Sequence, residues 1–115
     1  MIYKLLNLDE WLAAKAAGEF RGSPVDLADG YVHFSTADQV VETAARHFAG
    51  QTGLMLLTID TDRLGADLRW EPSRRGALFP HLYASLPLHA VVAEVRLPDD
   101  VSVPDAVAHA LAGGA

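Results

Sequence analysis

Residues 29–39, DGYVHFSTADQ, hold a turn, a strand and the start of a helix in one short run. Asp29-Gly30 is a turn pair. Tyr31-Val32-His33-Phe34 reads as a short strand of aromatic and β-branched side chains. Alternation then sends Val32 and Phe34 into a core and leaves Tyr31, His33 and Ser35 on the other face. A helix follows at once, capped either by Ser35 with Asp38 or by Thr36 with Gln39. Val40, Val41, Ala44 and Phe48 form its apolar stripe, and Gly50 ends it.

Upstream, residues 2–6 alternate as a first strand. Asn7 and Glu10 have capping-box spacing, with Leu6 and Trp11 placed as its hydrophobic staple. The helix they open runs through Leu12 and the alanines to Gly18. Residues 21–30 read as a turn-rich connection. Downstream, residues 54–59 are almost wholly apolar, which predicts a central strand buried on both faces. Residues 68–71 form another short strand, stopped by Pro72, and residues 73–76 a loop. Pro80 and Pro87 predict irregular backbone over residues 79–88. Residues 90–97 make a last strand before Pro98, and Pro104 suits the first position of a short, frayed C-terminal helix. Two helices precede most of the strands, so the pattern is α+β and not a βαβ repeat. One globular domain over residues 1–98 is expected, with residues 99–115 as a tail carrying the short helix.

Half of the 115 residues are apolar, enough for a single core without covalent staples. The chain has no cysteine, which removes disulfides, thiolate metal sites and cysteine nucleophiles. Nine basic against fifteen acidic residues give a net charge of −6, unsuited to wrapping a nucleic acid backbone. No apolar run approaches the roughly 20 residues of a bilayer span, so neither nucleic acid nor membrane is an expected partner. Met1-Ile2-Tyr3-Lys4 leads into a strand and not into a basic and apolar leader, so a cytoplasmic location is expected. Three of the nine basic residues, Arg69, Arg74 and Arg75, nevertheless fall close together. They make either a local anion site or a solvated loop.

His33 is the foremost candidate for chemistry. It shares a face with Ser35 at the mouth of the following helix, whose free N–H groups favour an anion. Asp26 either orients His33 or caps its own loop, whereas turn chemistry is enough to explain Asp29. Leu68 and Trp70 would bury one face of their strand and leave Arg69 and Glu71 on the other. There Glu71, beside Arg74, either stabilises a developing cation or pairs with an arginine at the surface. His81, stiffened by Pro80, and Tyr83 can wall or stack on a planar ligand, while Phe79 and Leu82 read as core. His47, His89 and His109 look incidental. No metal site is expected, because H-x-x-x-H and H-x-H spacings are lacking. Glycine-rich phosphate loops and a serine nucleophile elbow are absent too.

The set Trp11, Asp26, Asp29-Gly30-Tyr31-Val32-His33-Phe34-Ser35-Thr36, Trp70-Glu71-Pro72-Ser73-Arg74 and Leu78-Phe79-Pro80-His81-Leu82-Tyr83 resembles a bacterial family, domain of unknown function 952, over residues 2–97. The resemblance implies an ADP-ribosyltransferase-like fold, two packed, mainly antiparallel sheets with a nicotinamide–ribose cleft between them. It also implies that His33 matches the strand histidine that bonds the ribose. Glu71 and Tyr83 are the nearest counterparts of a glutamate that supports a cationic transition state and a tyrosine that stacks on nicotinamide. Phe34 stands where the polymerase and diphtheria-toxin branch of that fold has glycine. Catalytic roles are therefore expected for His33 and Glu71, and ligand contacts for Ser35, Arg74, His81 and Tyr83. The ligand expected is a small, nucleotide-like or anionic molecule, with NAD as a possible substrate and no covalently bound cofactor. The alternatives are a metabolite-binding module that has lost the chemistry, and a protein-interaction domain without a ligand.

Overall fold

The computed structural model describes residues 1–113. In chain order the elements are β1 (Ile2–Asn7), α1 (Leu8–Ala17), β2 (Glu19–Phe20), α2 (Pro24–Asp29), β3 (Val32–His33) and α3 (Ala37–His47). They continue with β4 (Leu54–Ile59), β5 (Leu68–Pro72), β6 (Leu78–Leu82), β7 (Leu86–Pro87), β8 (Val91–Arg96) and α4 (Val103–Leu111). The strands form three antiparallel sheets: β1-β4-β8, β2-β7 and β3-β6-β5. The architecture is α+β, with four α-helices among the described residues. Two details differ from the sequence reading: there are three sheets, not two, and three helices, not two, precede β4.

Strand β4 is the spine. Its residues alternate between two apolar clusters, which explains why almost every side chain in it is buried. Met55, Leu57 and Ile59 face Trp11 and Ala14 of α1, together with Val32, Phe34 and Leu82 from the β3-β6-β5 sheet. Leu54 and Leu56 face Val40 and Ala44 of α3 and Val103, Ala106 and Val107 of α4. Helix α4 therefore lies beyond the boundary drawn at residue 98 yet closes this second cluster; the last two residues of that tail lie outside the described residues. Val107 is fully buried, so Val107→Ala should lower the unfolding free energy by about 2 kcal/mol through lost burial and a residual cavity. A urea midpoint unchanged by this substitution would mean that α4 does not pack there.

Three local departures from the sequence reading matter for the site. Residues 21–30 contain a real helix, α2, opened by a Ser23–Asp26 capping box with Pro24 in its first turn and closed by Gly30 at φ 87°. Six residues give too short a window for helical periodicity to show. The irregular backbone expected over residues 79–88 is confined mainly to 83–85, because residues 79–82 belong to β6, the central strand of its sheet despite Pro80, and 86–87 to β7. Pro80 accepts from the Phe34 N–H at 3.0 Å but has no N–H to return, and regular pairing with β3 stops at His33. Trp70 is exposed on the edge strand β5, not buried beside Leu68.

Candidate functional site

Register fixes the composition of one sheet face. His33 sits opposite His81, which sits opposite Arg69, and Glu71 is opposite Phe79. Directly paired residues share a face, as do residues two apart along a strand. Tyr31, His33, His81, Tyr83, Arg69 and Glu71 therefore all project from the side of the β3-β6-β5 sheet opposite the Val32–Phe34–Leu82 core. The Tyr31 ring packs against both imidazoles, its centroid 4.6 Å from that of His33 and 4.2 Å from that of His81; the imidazoles meet edge-on, their centroids 5.6 Å apart.

Each imidazole is braced by carboxylate. His33 Nδ1 is 2.6 Å from Asp26 Oδ1, and His33 Nε2 is 2.9 Å from Asp29 Oδ2. Both ring nitrogens can donate to carboxylates only when the ring carries two protons. Asp26 is a fixed partner, 1 % exposed, whereas Asp29 is 46 % exposed at the end of α2. His81 is 4 % exposed, and its Nδ1 lies 2.9 Å from Glu71 Oε1. The Tyr83 hydroxyl donates to the same Glu71 oxygen at 2.6 Å.

Asp26 is the structural hinge of this region. Its carboxylate accepts from Lys4 Nζ at 2.9 and 3.1 Å, from the Ser23 N–H at 2.8 Å and from the His33 N–H at 3.1 Å. Both outcomes read for it in the sequence occur together: it caps its helix and it orients His33. Burial alone would raise its pKa, but the bond to His33 and the charge and bonds of Lys4 prevail and lower it to about 2. Lys4 is buried beside it, and loss of water pulls the ammonium below its ordinary range despite the support of Asp26. Gly22 lets α2 approach, because a Cβ there would lie 2.8 Å from Asp26 Cβ and φ is 132°.

A cavity of about 550 Å³ opens against this face. Four of the expected residues line it: His33, Ser35, Arg74 and His81. Ser35 does not cap α3, since Thr36 does so with Gln39; its hydroxyl instead bonds Thr43 Oγ1 at 2.8 Å. Arg74 donates to the same Thr43 hydroxyl at 2.8 Å and stacks over Phe79 at 4.8 Å. It is 18 % exposed, whereas Arg75, 79 % exposed with φ at 56°, turns outward. Burial disfavours the Arg74 charge, and the Glu42 carboxylate, 3.7 Å away, offsets part of that.

Glu71 and Tyr83, the other two expected residues, bond each other at the side of His81 and are not part of the cavity wall. Glu71 is held below its ordinary pKa by the bonds from Tyr83 and His81, and the same bond raises Tyr83. The tyrosine that lines the wall beside the histidines is Tyr31, whose hydroxyl is pushed up by burial and by the charges of Asp29, Glu71 and Asp26. Lys4 and Thr43 escaped the sequence reading, and Asp29, read there as a turn residue, also bonds His33. Lys4 carried a signal: it alternates with Ile2 and Leu6, and a cation on an apolar strand face calls for a buried counter-charge. His47, read as incidental, also lines the cavity, while His89 and His109 do not. Among the described residues no group of three or more acidic or histidine side chains is placed to hold a metal ion. No helix among them is long and apolar enough to cross a membrane.

Comparison with known proteins agrees with this geometry at the level of family and fold. The crystal structure of protein CC0527 from Caulobacter crescentus is 50% identical, covering 93% of this chain and 97% of that one, with a TM-score of 0.85. A solution structure of the same protein is 51% identical over 89% of this chain and 90% of that one, with a TM-score of 0.77. A search of curated proteins returned no match. Residues 5–94, which include all six site residues expected from the sequence, match a family described as protein of unknown function (DUF952), and the chain belongs to that family.

Proposed function

We propose that the cavity takes a nucleotide-like ligand, with the anionic part at Arg74 and the sugar and base at the histidine end. The observation that carries this is the division of charge along one wall. Asp29 lines the histidine end, with Glu71 behind His81 and Asp26, paired with Lys4, behind His33, while the Arg74 guanidinium lies beside Phe79, two residues or about 7 Å along the strand from His81. A ligand that is cationic or rich in hydroxyls at one end and anionic at the other is complementary to it. NAD has that form, with a pyridinium ring, a ribose and a pyrophosphate, and it acts as substrate and not as a resident cofactor. In this reading a ribose hydroxyl displaces the half-exposed Asp29 carboxylate from His33 Nε2, and Tyr31 packs against the sugar or base. The surrounding carboxylates favour positive charge developing at the anomeric carbon as the N-glycosidic bond breaks.

The ADP-ribosyltransferase-like relationship belongs to the same proposal. Antiparallel sheets, and a strand histidine that feeds directly into a helix, support it. A second reading, a metabolite-binding module without chemistry, is favoured by Phe34, whose ring is buried in the core where a glycine would let a ligand amide reach the backbone. The net charge of −6 favours a small molecule over nucleic acid as the partner in either case. A location in the cytoplasm fits NAD as the ligand.

Incubation of the full chain with NAD, with released nicotinamide as the readout, tests the proposal. Release that is lost in His33→Ala, with the fold retained, is the expected result. Thermal stabilisation by ADP-ribose without release selects the non-catalytic module. No stabilisation by millimolar NAD or ADP-ribose would overturn both readings.

A further inference from the structure

The two imidazoles differ in what they offer the cavity. His33 is clamped between Asp26 and Asp29, so both its nitrogens already face carboxylate oxygens. His81 has a single carboxylate partner. Glu71 takes Nδ1, and among the described residues Nε2 has no hydrogen-bond partner although the side chain is almost wholly buried on the cavity wall. A carboxylate at Nδ1 holds the proton there and turns the Nε2 lone pair outward. The Tyr83 hydroxyl fixes Glu71 in turn, so the orientation of His81 is set two residues deep.

We infer that Glu71 and His81 form a proton-accepting dyad, in which His81 Nε2 takes a proton from a water or hydroxyl that attacks the ligand's anomeric carbon. This rests on the ligand cleft proposed above and changes the role of Glu71. The glutamate becomes a positioning residue acting through His81, and His81 becomes the group that meets the reacting atoms. With water as the nucleophile, its proton passes to Nε2 and its oxygen forms the new bond to carbon. The carbon–nitrogen bond breaks and its electron pair leaves on the ring nitrogen, which turns a pyridinium into a neutral base. The proton on His81 then returns to solvent. His33, edge-on to His81 at 5.6 Å, keeps Asp26 at Nδ1 and takes no part in this proton transfer.

Long-range nitrogen–proton spectra of the full chain with labelled histidine test this at about pH 8.5, above the ordinary histidine titration range. The expected spectrum has His81 protonated at Nδ1 and bare at Nε2, with the Nε2 signal moved by ADP-ribose. Glu71→Gln should move protons toward Nε2, and Tyr83→Phe should do so to a smaller extent. An Nε2-protonated His81 in the unmodified chain overturns the dyad. ADP-ribose that shifts the Arg74 side chain but leaves His81 untouched overturns the dyad and leaves the cleft standing. ADP-ribose that shifts neither removes the cleft and the dyad together. With NAD as substrate, His81→Gln should lower kcat about 100-fold with little change in KM, the usual range for a lost general base. Unchanged nicotinamide release in that variant, or none from the unmodified chain, also overturns it.

Discussion

Asp26→Ala is expected to lower the unfolding free energy by about 3–5 kcal/mol, because it leaves the buried Lys4 ammonium without its counter-charge. That loss is a large share of the stability of an ordinary domain. The same substitution removes the acceptor for the Ser23 and His33 backbone N–H groups and frees the His33 ring. Helix α2, β1 and β3 meet at this one carboxylate, so the effect reaches all three. Lys4→Met should be milder, since the carboxylate keeps its backbone donors and His33, and the thioether suits the gap between Phe20 and Phe34. Urea unfolding followed by fluorescence of the buried Trp11 measures both. A change below about 1 kcal/mol in Asp26→Ala, the range of an exposed pair, would contradict the network.

Acid should expose the same group. The folded-state pKa of Asp26 is about 2 against an ordinary 3.8, so the carboxylate stabilises the fold above the ordinary value. That contribution, about 2 kcal/mol, is lost as pH falls from near 4 through 2. Asp26→Asn should flatten this part of the acid-stability curve, and an unaltered curve would contradict the assignment.

Arg74→Ala should weaken ADP-ribose binding by about 10- to 100-fold, the worth of a charge-assisted bond to phosphate in a partly buried site. Arg75→Ala is the control. It removes an identical charge one residue away but from the outward side, and should change affinity less than about twofold once salt screens the surface. Equal losses in the two variants would mean that general electrostatics and not a site holds the phosphate. Arg74 also packs on Phe79, so each variant's unfolding midpoint needs to accompany its affinity.

Much of the fold was legible because its signals are local and strong. The Asn7–Glu10 box, the Thr36–Gln39 box and the apolar run of β4 each announce an element in a few residues. Helix α2 was hidden by its brevity, and β6 by a proline that ordinarily argues against a central strand. The prediction of one face for His33 and Ser35, and of another for Arg69 and Glu71, needed only alternation. That these are the same face of one sheet depends on the β3–β6–β5 register, which is a long-range fact. Asp29 is the clearest miss: its contact with His33 depends on how α2 ends, and a turn pair in the sequence carries no sign of it. Tyr31 stood on the predicted face but was passed over for Tyr83, which the structure places beside Glu71.

The central claim is that Tyr31, His33, His81 and Arg74 surround one ligand. A chemical-shift titration of the full chain with ADP-ribose tests it most directly. Saturable shifts of all four side chains with one dissociation constant are expected, with Arg75, His89 and His109 unmoved. Shifts confined to exposed arginines, or none up to millimolar ligand, would contradict it.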